Sequence, residues 1–303
     1  MQKITETIFV PEDSEGLRLD KFLAAKLNSF SRTKINNLIK NNSVRVDTKI
    51  KKSSFRISKG QTISIEIPQK KERLKPYDFP VTIIFEDDDI VVVDKPSGLT
   101  VHPPQYDYYK TLVNALIFLK KDLSSLDTLR PGVVHRLDKE TSGVMVLAKN
   151  NRSQDNLIDQ FRRRRVKKEY SAIVWGDIQK KQFLINLPLQ RDDKNRLKMK
   201  VGFHNSKEAS TKVILSCRLE GAAFLVLYPL TGRMHQIRVH LNFLGYPIVG
   251  DKKYGIKDGY KDLFLHAKTL TFKHPTRKKI LKFTSPLPQK FNDFITNNKL
   301  RDV

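Results

Sequence analysis

The chain has 303 residues, with 57 Lys and Arg against 32 Asp and Glu, which gives a formal net charge of +25. So large a positive field favours a polyanionic partner, and nucleic acid fits better than an anionic membrane surface. Part of the lysine excess would also arise in a proteome of biased composition. No apolar run is long enough to cross a bilayer, and no secretory signal precedes the first strand pattern. The single cysteine, Cys217, excludes an intrachain disulfide, which suits a reducing compartment. We therefore expect a cytoplasmic protein that does not associate with a membrane.

Residues 1–15 are predicted to form an extended arm, and residues 16–67 a small basic module. Apolar residues at helical spacing in RLDKFLAAKL and over 32–40 predict two helices. Short alternating runs predict strands at 44–46 and 62–67. From position 18 to position 59 the sequence has twelve Lys or Arg and two Asp, a net charge of +10. This density predicts a nucleic-acid contact, with an ordinary solvated surface as the alternative.

Two basic helices followed by short strands resemble the S4 RNA-binding module. The resemblance implies a small α/β domain that holds structured RNA through phosphate and shape contacts rather than base readout. The candidate contacts cluster around the second helix and its exit: Arg32, Lys34, Arg45, Lys49, Lys51 and Lys52. Residues 68–80, PQKKERLKPYDFP, are polar and interrupted by proline, which predicts an interdomain linker.

Residues 81–303 are predicted to form the larger domain, an α+β fold with a mixed, mostly antiparallel sheet. Strand patterns dominate, and helices are interspersed without a βαβ rhythm. The predicted strands include 169–176, 209–213, 224–230 and a closing pair near the C-terminus. The predicted helices are 111–121, a helix capped by Asn151 or Ser153 that ends at Arg165, 234–244 and 289–300. Six cations within residues 162–168, RRRRVKK, exceed what a helix C-terminus needs and indicate phosphate contact.

The stretch 131–150, PGVVHRLDKETSGVMVLAKN, places a polar turn between two short β-prone segments. Five ionisable residues crowd this turn: His135, Arg136, Asp138, Lys139 and Glu140. A compact polar turn held by strands is a common place for catalytic groups. An ion-paired surface turn is the alternative that the residues alone leave open.

The string HRLDKETSG resembles the signature loop of the RluA-type pseudouridine synthases. Two further segments match that family in the same order, KKEYSAIVWG and LTGRMHQIRVHLNFLGYPIVGDKKYG. The resemblance covers most of the chain and implies a cofactor-independent isomerase. It implies that Asp138 is the catalytic carboxylate, that Tyr170 stacks on a flipped uracil, and that Arg233 pairs with Asp138.

The same resemblance assigns supporting roles. Arg136 would fill the gap left in the RNA stack, His135 and Thr141 would shape the loop, and Ile237 would floor the pocket, where simple packing is the alternative. The segment DKPSG would flank the cleft through Lys95, or else form a stabilising turn. Whether the carboxylate attacks C1′ or removes the 2′ proton stays open.

Several nucleotide and metal motifs are absent from the sequence: GxxxxGK[ST], GxGxxG after a strand, CxxC and HExxH. We therefore expect neither a nucleotide cofactor nor a metal. The alternatives are a non-catalytic ribosome-assembly factor that binds RNA, and a glycosidase-like hydrolase, which needs two carboxylates at a set separation. The domain order, with an S4 module ahead of the catalytic domain, resembles that of the family members that modify large-subunit rRNA. We expect a monomer that acts on 23S rRNA or a pre-ribosomal particle, with tRNA as the alternative.

Overall fold

The computed structural model describes residues 3–27, 30, 32–68, 74–104 and 108–299. The chain divides into two compact units, Met1–Glu72 and Arg73–Val303. Within the described ranges, no helix is long and apolar enough to cross a membrane.

The smaller unit packs two helices on a four-stranded antiparallel sheet. Its elements are β1 (Lys3–Phe9), a 3-10 turn (Glu12–Ser14), α1 (Leu19–Lys26), α2 (Arg32–Lys40), β2 (Val44–Val46), β3 (Lys49–Ile50) and β4 (Thr62–Pro68). The sheet order is β1-β4-β2-β3, so the predicted N-terminal arm adds an edge strand to β4. Helix α1 packs on the sheet because Leu19, Phe22 and Leu23 share one apolar face, which is buried in the same core as Ile63 and Ile65.

The larger unit is built on one long sheet. Its helices are α3 (Leu112–Phe118), α4 (Asn151–Arg162), α5 (Gln236–Phe243) and α6 (Gln289–Asn297). Its strands are β5 (Thr82–Glu86), β6 (Ile90–Lys95), β7 (Ser142–Ala148), β8 (Lys167–Trp175), β9 (Gln182–Asn186), β10 (Leu189–Arg191), β11 (Met199–Val201), β12 (Ser210–Leu219), β13 (Ala222–Pro229), β14 (Leu265–Lys273) and β15 (Ile280–Thr284).

The main sheet has the order β5-β6-β7-β14-β8-β13-β12-β9, with β15 paired to β14. Only β7 and β14 run parallel among the described pairs, so the sheet is mixed and mostly antiparallel, and the predicted α+β class is confirmed. The parallel pair aligns Ser142 with His266 and Gly143 with Ala267, and a side chain on Gly143 would collide with the Ala267 carbonyl. Gly143 also has a φ of 118°, which favours glycine. This close approach fixes the strand that follows the signature loop.

Three predicted helix boundaries near the site were wrong. The cap of α4 is Asn150, whose side chain accepts from the Ser153 amide at 2.9 Å, because Asn151 already lies within the helix. That helix ends at Arg162, and the chain turns away at Arg164, which has a φ of 57°. The third helix begins at Gln236 instead of position 234, because His235 is left-handed with a φ of 54°.

Three further strands, β9 to β11, were not predicted, because their short runs have no sustained alternation. The described end of the predicted linker packs onto the larger unit. There Leu74 is buried, the Tyr77 amide donates to the Asn114 carbonyl at 3.1 Å, and the Tyr77 ring stacks on Phe79 at 5.4 Å.

Candidate active site

A cavity of about 680 Å³ opens in the larger unit where the signature loop, the end of α4, the start of β8 and the loop before α5 meet. Among the described residues that line it, Asp138 is the single acid. The cations that line it are Arg136, Arg162, Arg164, Lys168, Arg191, Arg233 and Arg238. A cavity of this size holds a nucleotide-sized ligand. The excess of cations around one carboxylate suits a polyanion that delivers one group to the acid.

The signature loop is braced by His135. Its Nε2 accepts a hydrogen bond from the Val146 amide at 3.1 Å, and its ring stacks on Phe161 with 4.5 Å between centroids. Burial, followed by the positive charge of Lys168, lowers the pKa of His135 to about 3, so the ring stays a neutral acceptor. Thr141 is also buried, and its amide donates to the Asp138 carbonyl at 3.1 Å, which closes the turn.

The loop after β6 locks the other side of the signature loop. Lys95 is fully buried, and its Nζ donates to the carbonyls of Pro96, Leu99 and Lys139 at 2.8, 2.9 and 3.2 Å. The Gly98 amide donates to the same Lys139 carbonyl at 2.8 Å. Burial lowers the pKa of Lys95 to about 7, although the negative charge of Asp138 acts in the opposite direction. Lys95 therefore supports the loop from behind and does not line the cavity.

The Asp138 carboxylate meets a buried guanidinium. Arg238 donates from Nη1 to Oδ2 of Asp138 at 3.3 Å and to Oε2 of Glu140 at 3.4 Å. Its other edge is held by Asp251, with Nε to Oδ2 at 2.8 Å and Nη2 to Oδ1 at 2.7 Å. The guanidinium also lies 5.3 Å from the ring centre of Tyr254. Burial is the largest single influence and opposes the charge of Arg238, but the hydrogen bonds to Asp251 and the negative charges of Asp251, Asp138 and Glu140 together raise the pKa of the arginine. Arg238 thus presents a permanent charge to Asp138.

The prediction that Arg233 pairs with Asp138 was wrong. Arg233 Nε donates to the Glu208 carbonyl at 2.9 Å, so the side chain turns along the rim of the cavity. The reason lies in the late start of α5, which leaves Arg233 in the preceding loop and turns Arg238 toward the signature loop. The sequence held a signal for this, because His235 and Arg238 have a three-residue spacing on one side of the helix.

Tyr170 lies on β8 and lines the same cavity as Asp138. Burial raises the pKa of its hydroxyl above the ordinary value, and the Asp138 charge adds to the shift, so the phenol stays protonated. Ile237 also lines the cavity and is 6% exposed, while its side chain joins the adjacent hydrophobic core. Arg136 is exposed at the mouth of the cavity.

Two further groups at the site, His235 and Gln236, were not predicted from the sequence, whereas Lys168 belongs to the basic stretch 162–168 for which phosphate contact was predicted. His235 Nε2 lies 3.9 Å from Asp138 Oδ1, and its Nδ1 is bonded to the Tyr254 hydroxyl at 2.7 Å. Gln236 is buried, and its Oε1 accepts from the amide of Arg233 at 3.0 Å, which fixes the loop before α5. Lys168 donates to the Thr231 carbonyl at 3.1 Å, and burial, with the Arg164 charge, lowers its pKa to about 8.

The smaller unit carries the other candidate RNA contacts. Arg32 begins α2 and pairs with Asp20, with Nη2 to Oδ2 at 2.8 Å. Arg45 is exposed on β2. The side chain of Lys34 lies outside the described residues.

One group of potential metal ligands occurs in the described part of the chain: Asp87, Asp89 and His274. Their carboxylate oxygens already accept hydrogen bonds. Asp87 accepts from the amides of Asp89 and Ile90 at 2.9 and 3.0 Å and pairs with His274 Nε2 at 2.8 Å. This network holds the turn before β6, and its occupied oxygens do not favour a cation.

Comparisons with known proteins agree with this geometry. The family model described as RNA pseudouridylate synthase matches residues 89–243, and that of the S4 domain matches residues 17–63. An uncharacterized RNA pseudouridine synthase of Aquifex aeolicus is 40% identical, over 95% of this chain and 96% of its own length. Ribosomal large subunit pseudouridine synthase D of Xanthomonas campestris is 36% identical, over 92% of this chain and 88% of its own length.

The solved structure of human RNA Pseudouridylate Synthase Domain Containing 1 aligns with a TM-score of 0.57 at 28% identity, over 68% of this chain and 83% of that chain. The matched family region contains Asp138, Tyr170 and Arg238, so the cavity described above lies in the shared domain. The chain therefore belongs to the RNA pseudouridine synthase family and carries an S4 domain at its N-terminal side.

Proposed function

We propose that this protein isomerises specific uridines of 23S rRNA to pseudouridine, with Asp138 as the catalytic carboxylate. The observation that carries the proposal is the placement of Asp138, the one acid among the described lining of a basic cavity, in contact with the buried Arg238 and beside Tyr170. The reaction breaks the glycosidic bond, turns the uracil and rejoins it through C5, and it consumes no cofactor.

Each neighbouring group has a chemical task in this scheme. The target base must leave the RNA stack to reach the cavity, and the Tyr170 ring offers it a stacking face. Because burial keeps the Tyr170 phenol protonated, its hydroxyl can relay the C5 proton only together with a base. Arg238 sets a permanent positive charge and an N–H donor against the Asp138 carboxylate in a partly enclosed site. Arg136, at the mouth, fills the space that the flipped base leaves.

The choice of RNA rests on two supports. Relatives that align over most of this chain are named ribosomal large subunit pseudouridine synthase D, and the S4 domain supplies a second RNA-binding unit. We place the reaction in the cytoplasm on the pre-ribosomal particle, where a free cysteine such as Cys217 stays reduced.

Tritium release from [5-³H]uridine-labelled RNA tests the proposal. The wild-type protein releases tritium from 23S rRNA and not from bulk tRNA, whereas Asp138→Asn releases none. Glu140→Gln is the matched control, since Glu140 is the neighbouring carboxylate on the same guanidinium but is 46% exposed. That variant retains release within a few-fold of wild type. Loss of release in Glu140→Gln equal to that in Asp138→Asn would contradict the assignment of Asp138 as the single catalytic carboxylate, whereas free uracil without tritium release from the wild type would favour a two-carboxylate hydrolase.

A further inference from the structure

The smaller unit contains a buried carboxylate beside a strongly basic surface. Asp20 lies in the first turn of α1, and only 2% of its side chain is exposed. An ionised carboxylate in that position is costly unless it is paired and hydrogen-bonded. Hydrogen bonds from Arg18, which outweigh burial, together with those from Arg32 lower the pKa of Asp20 to about 2. Asp20 is therefore charged at every pH at which the protein would bind RNA.

Two guanidinium groups converge on this carboxylate. Arg18 donates from Nε to Oδ1 at 3.0 Å and from Nη2 to Oδ2 at 3.3 Å. Arg32 donates from Nε and Nη2 to Oδ2 at 3.2 and 2.8 Å. The arginines come from different helices, since Arg18 caps α1 and Arg32 is the first residue of α2. One buried acid thus brings two cations to one place on the surface.

Both arginines keep binding capacity beyond Asp20. Their side chains are 39% and 53% exposed. A guanidinium has five N–H donors, so the two used on Asp20 leave others for an outside acceptor. The three side chains carry a net charge of +1, whereas one arginine would have been enough to neutralise Asp20. The first turn of a helix is also an unfavourable place for a cation such as Arg32 unless an anion lies nearby.

We propose that Asp20 positions Arg18 and Arg32 as a two-arginine binding site for a phosphate group of structured RNA. Phosphate is the fitting ligand because planar guanidinium forks bind its oxygens with two parallel hydrogen bonds each. Asp20 restricts the side-chain rotation of both arginines, which lowers the entropy lost when the phosphate binds. The choice of RNA as the source of the phosphate rests on the proposed function.

The proposal predicts an effect of opposite sign to simple charge counting. Asp20→Asn raises the net charge of the protein by one unit, which by Coulomb attraction alone would strengthen RNA binding. With the arginines no longer positioned, we expect the dissociation constant of the full chain for a 23S rRNA transcript to rise roughly tenfold. The log–log slope of affinity against salt should fall by about 1. Glu15→Gln, an equal charge change at an exposed position of the same unit, should leave affinity equal or slightly higher.

A second set of variants separates positioning from folding. Arg32→Lys keeps the charge but cannot form the fork, so it should weaken binding several-fold while the urea unfolding midpoint changes little. In the Arg18→Ala/Arg32→Ala background, Asp20→Asn should cause no further loss of affinity, because nothing remains for it to position. The proposal is overturned if folded Asp20→Asn binds as tightly as Glu15→Gln with an unchanged salt slope.

Turnover distinguishes this proposal from the proposed function. For an active wild type, the arginine variants should raise KM for the rRNA more than they lower kcat. If wild type binds rRNA with the predicted variant pattern but releases no tritium, the proposed function fails and the phosphate site stands. If wild type releases tritium and all variants bind equally, the phosphate site alone fails.

Discussion

Replacement of Arg238 by lysine is the sharpest test of how the candidate active site is held together. The guanidinium makes two short hydrogen bonds to buried Asp251, at 2.7 and 2.8 Å, and a third to Asp138 at 3.3 Å. A lysine ammonium at this position reaches one carboxylate and cannot reproduce the bidentate pair. Arg238→Lys therefore loses the planar contact with one acid and the bridge to the other.

The expected magnitudes follow from burial. A hydrogen bond to a charged group contributes about 1.5 to 3 kcal/mol, and a broken buried ion pair costs about 3 to 5 kcal/mol. Since Asp251 is only 1% exposed, we expect the free energy of unfolding to fall by about 2 to 4 kcal/mol. Asp138 is 21% exposed, so we expect its lost hydrogen bond to cost about 1.5 kcal/mol, the lower end of the range for a charged group. If that loss falls on the transition state, the chemical rate decreases roughly tenfold.

Urea unfolding measures the first quantity, and single-turnover tritium release at saturating protein measures the second. Arg233→Lys is the matched control, because Arg233 is an arginine of the same cavity that bonds to the Glu208 carbonyl. Its single-turnover rate should stay within about threefold of wild type, because its hydrogen bond goes to an exposed backbone carbonyl and a lysine ammonium can donate to the same oxygen. A wild-type rate in Arg238→Lys together with a large loss in Arg233→Lys would refute the assigned partner of Asp138.

Three further outcomes follow from the same geometry. Tyr170→Phe should keep the affinity for rRNA, because the stacking face remains, while the release rate falls at least tenfold if the hydroxyl handles a proton; equal rates would restrict Tyr170 to stacking. Lys168 has a pKa of about 8, so it loses its charge as the pH rises from 7 to 9, and rRNA affinity should fall over that range. In filter binding, the rRNA affinity of Lys168→Met should not decrease between pH 7 and 9, whereas that of Lys167→Met, a change at an exposed neighbour, should decrease as in wild type. Gly143→Ala should lower the melting temperature by about 5 °C or more, because the new methyl group would push β14 away from β7 at Ala267; an unchanged melting temperature in a calorimetric scan would contradict this.

The sequence predicted local structure well where the apolar pattern was strong. The helix over Arg32–Lys40 and the strand Lys167–Trp175 follow from periodicity and β-propensity within one segment. The short strands Leu189–Arg191 and Met199–Val201 were not predicted, because each is defined only by its pairing with the other. Their pairing is set by the packing of the larger unit, which no local window contains.

The sequence identified residues of the candidate site better than it identified the contacts between them. The signature loop drew attention to Asp138 because its charged residues are adjacent in sequence. The partner Arg238 is 100 positions away, and the choice between it and Arg233 depended on where one helix begins. The family resemblance implied Arg233 as the partner, but His235 is left-handed and α5 begins only at Gln236. Asp251 looks like an ordinary turn residue in the sequence. Only the structure shows that it is buried beside Arg238 and holds the guanidinium.

The central claim is that Asp138 carries out uridine isomerisation in large-subunit rRNA. Its most direct test is the mapping of pseudouridines in the 23S rRNA of a strain that lacks this protein and is complemented with wild type or Asp138→Asn at equal abundance. The account predicts that carbodiimide-dependent stops at specific uridines return with the wild type and stay absent with Asp138→Asn. Return of the same stops with Asp138→Asn would contradict the assignment of the catalytic carboxylate, and no difference between the uncomplemented and wild-type strains would contradict the rRNA target.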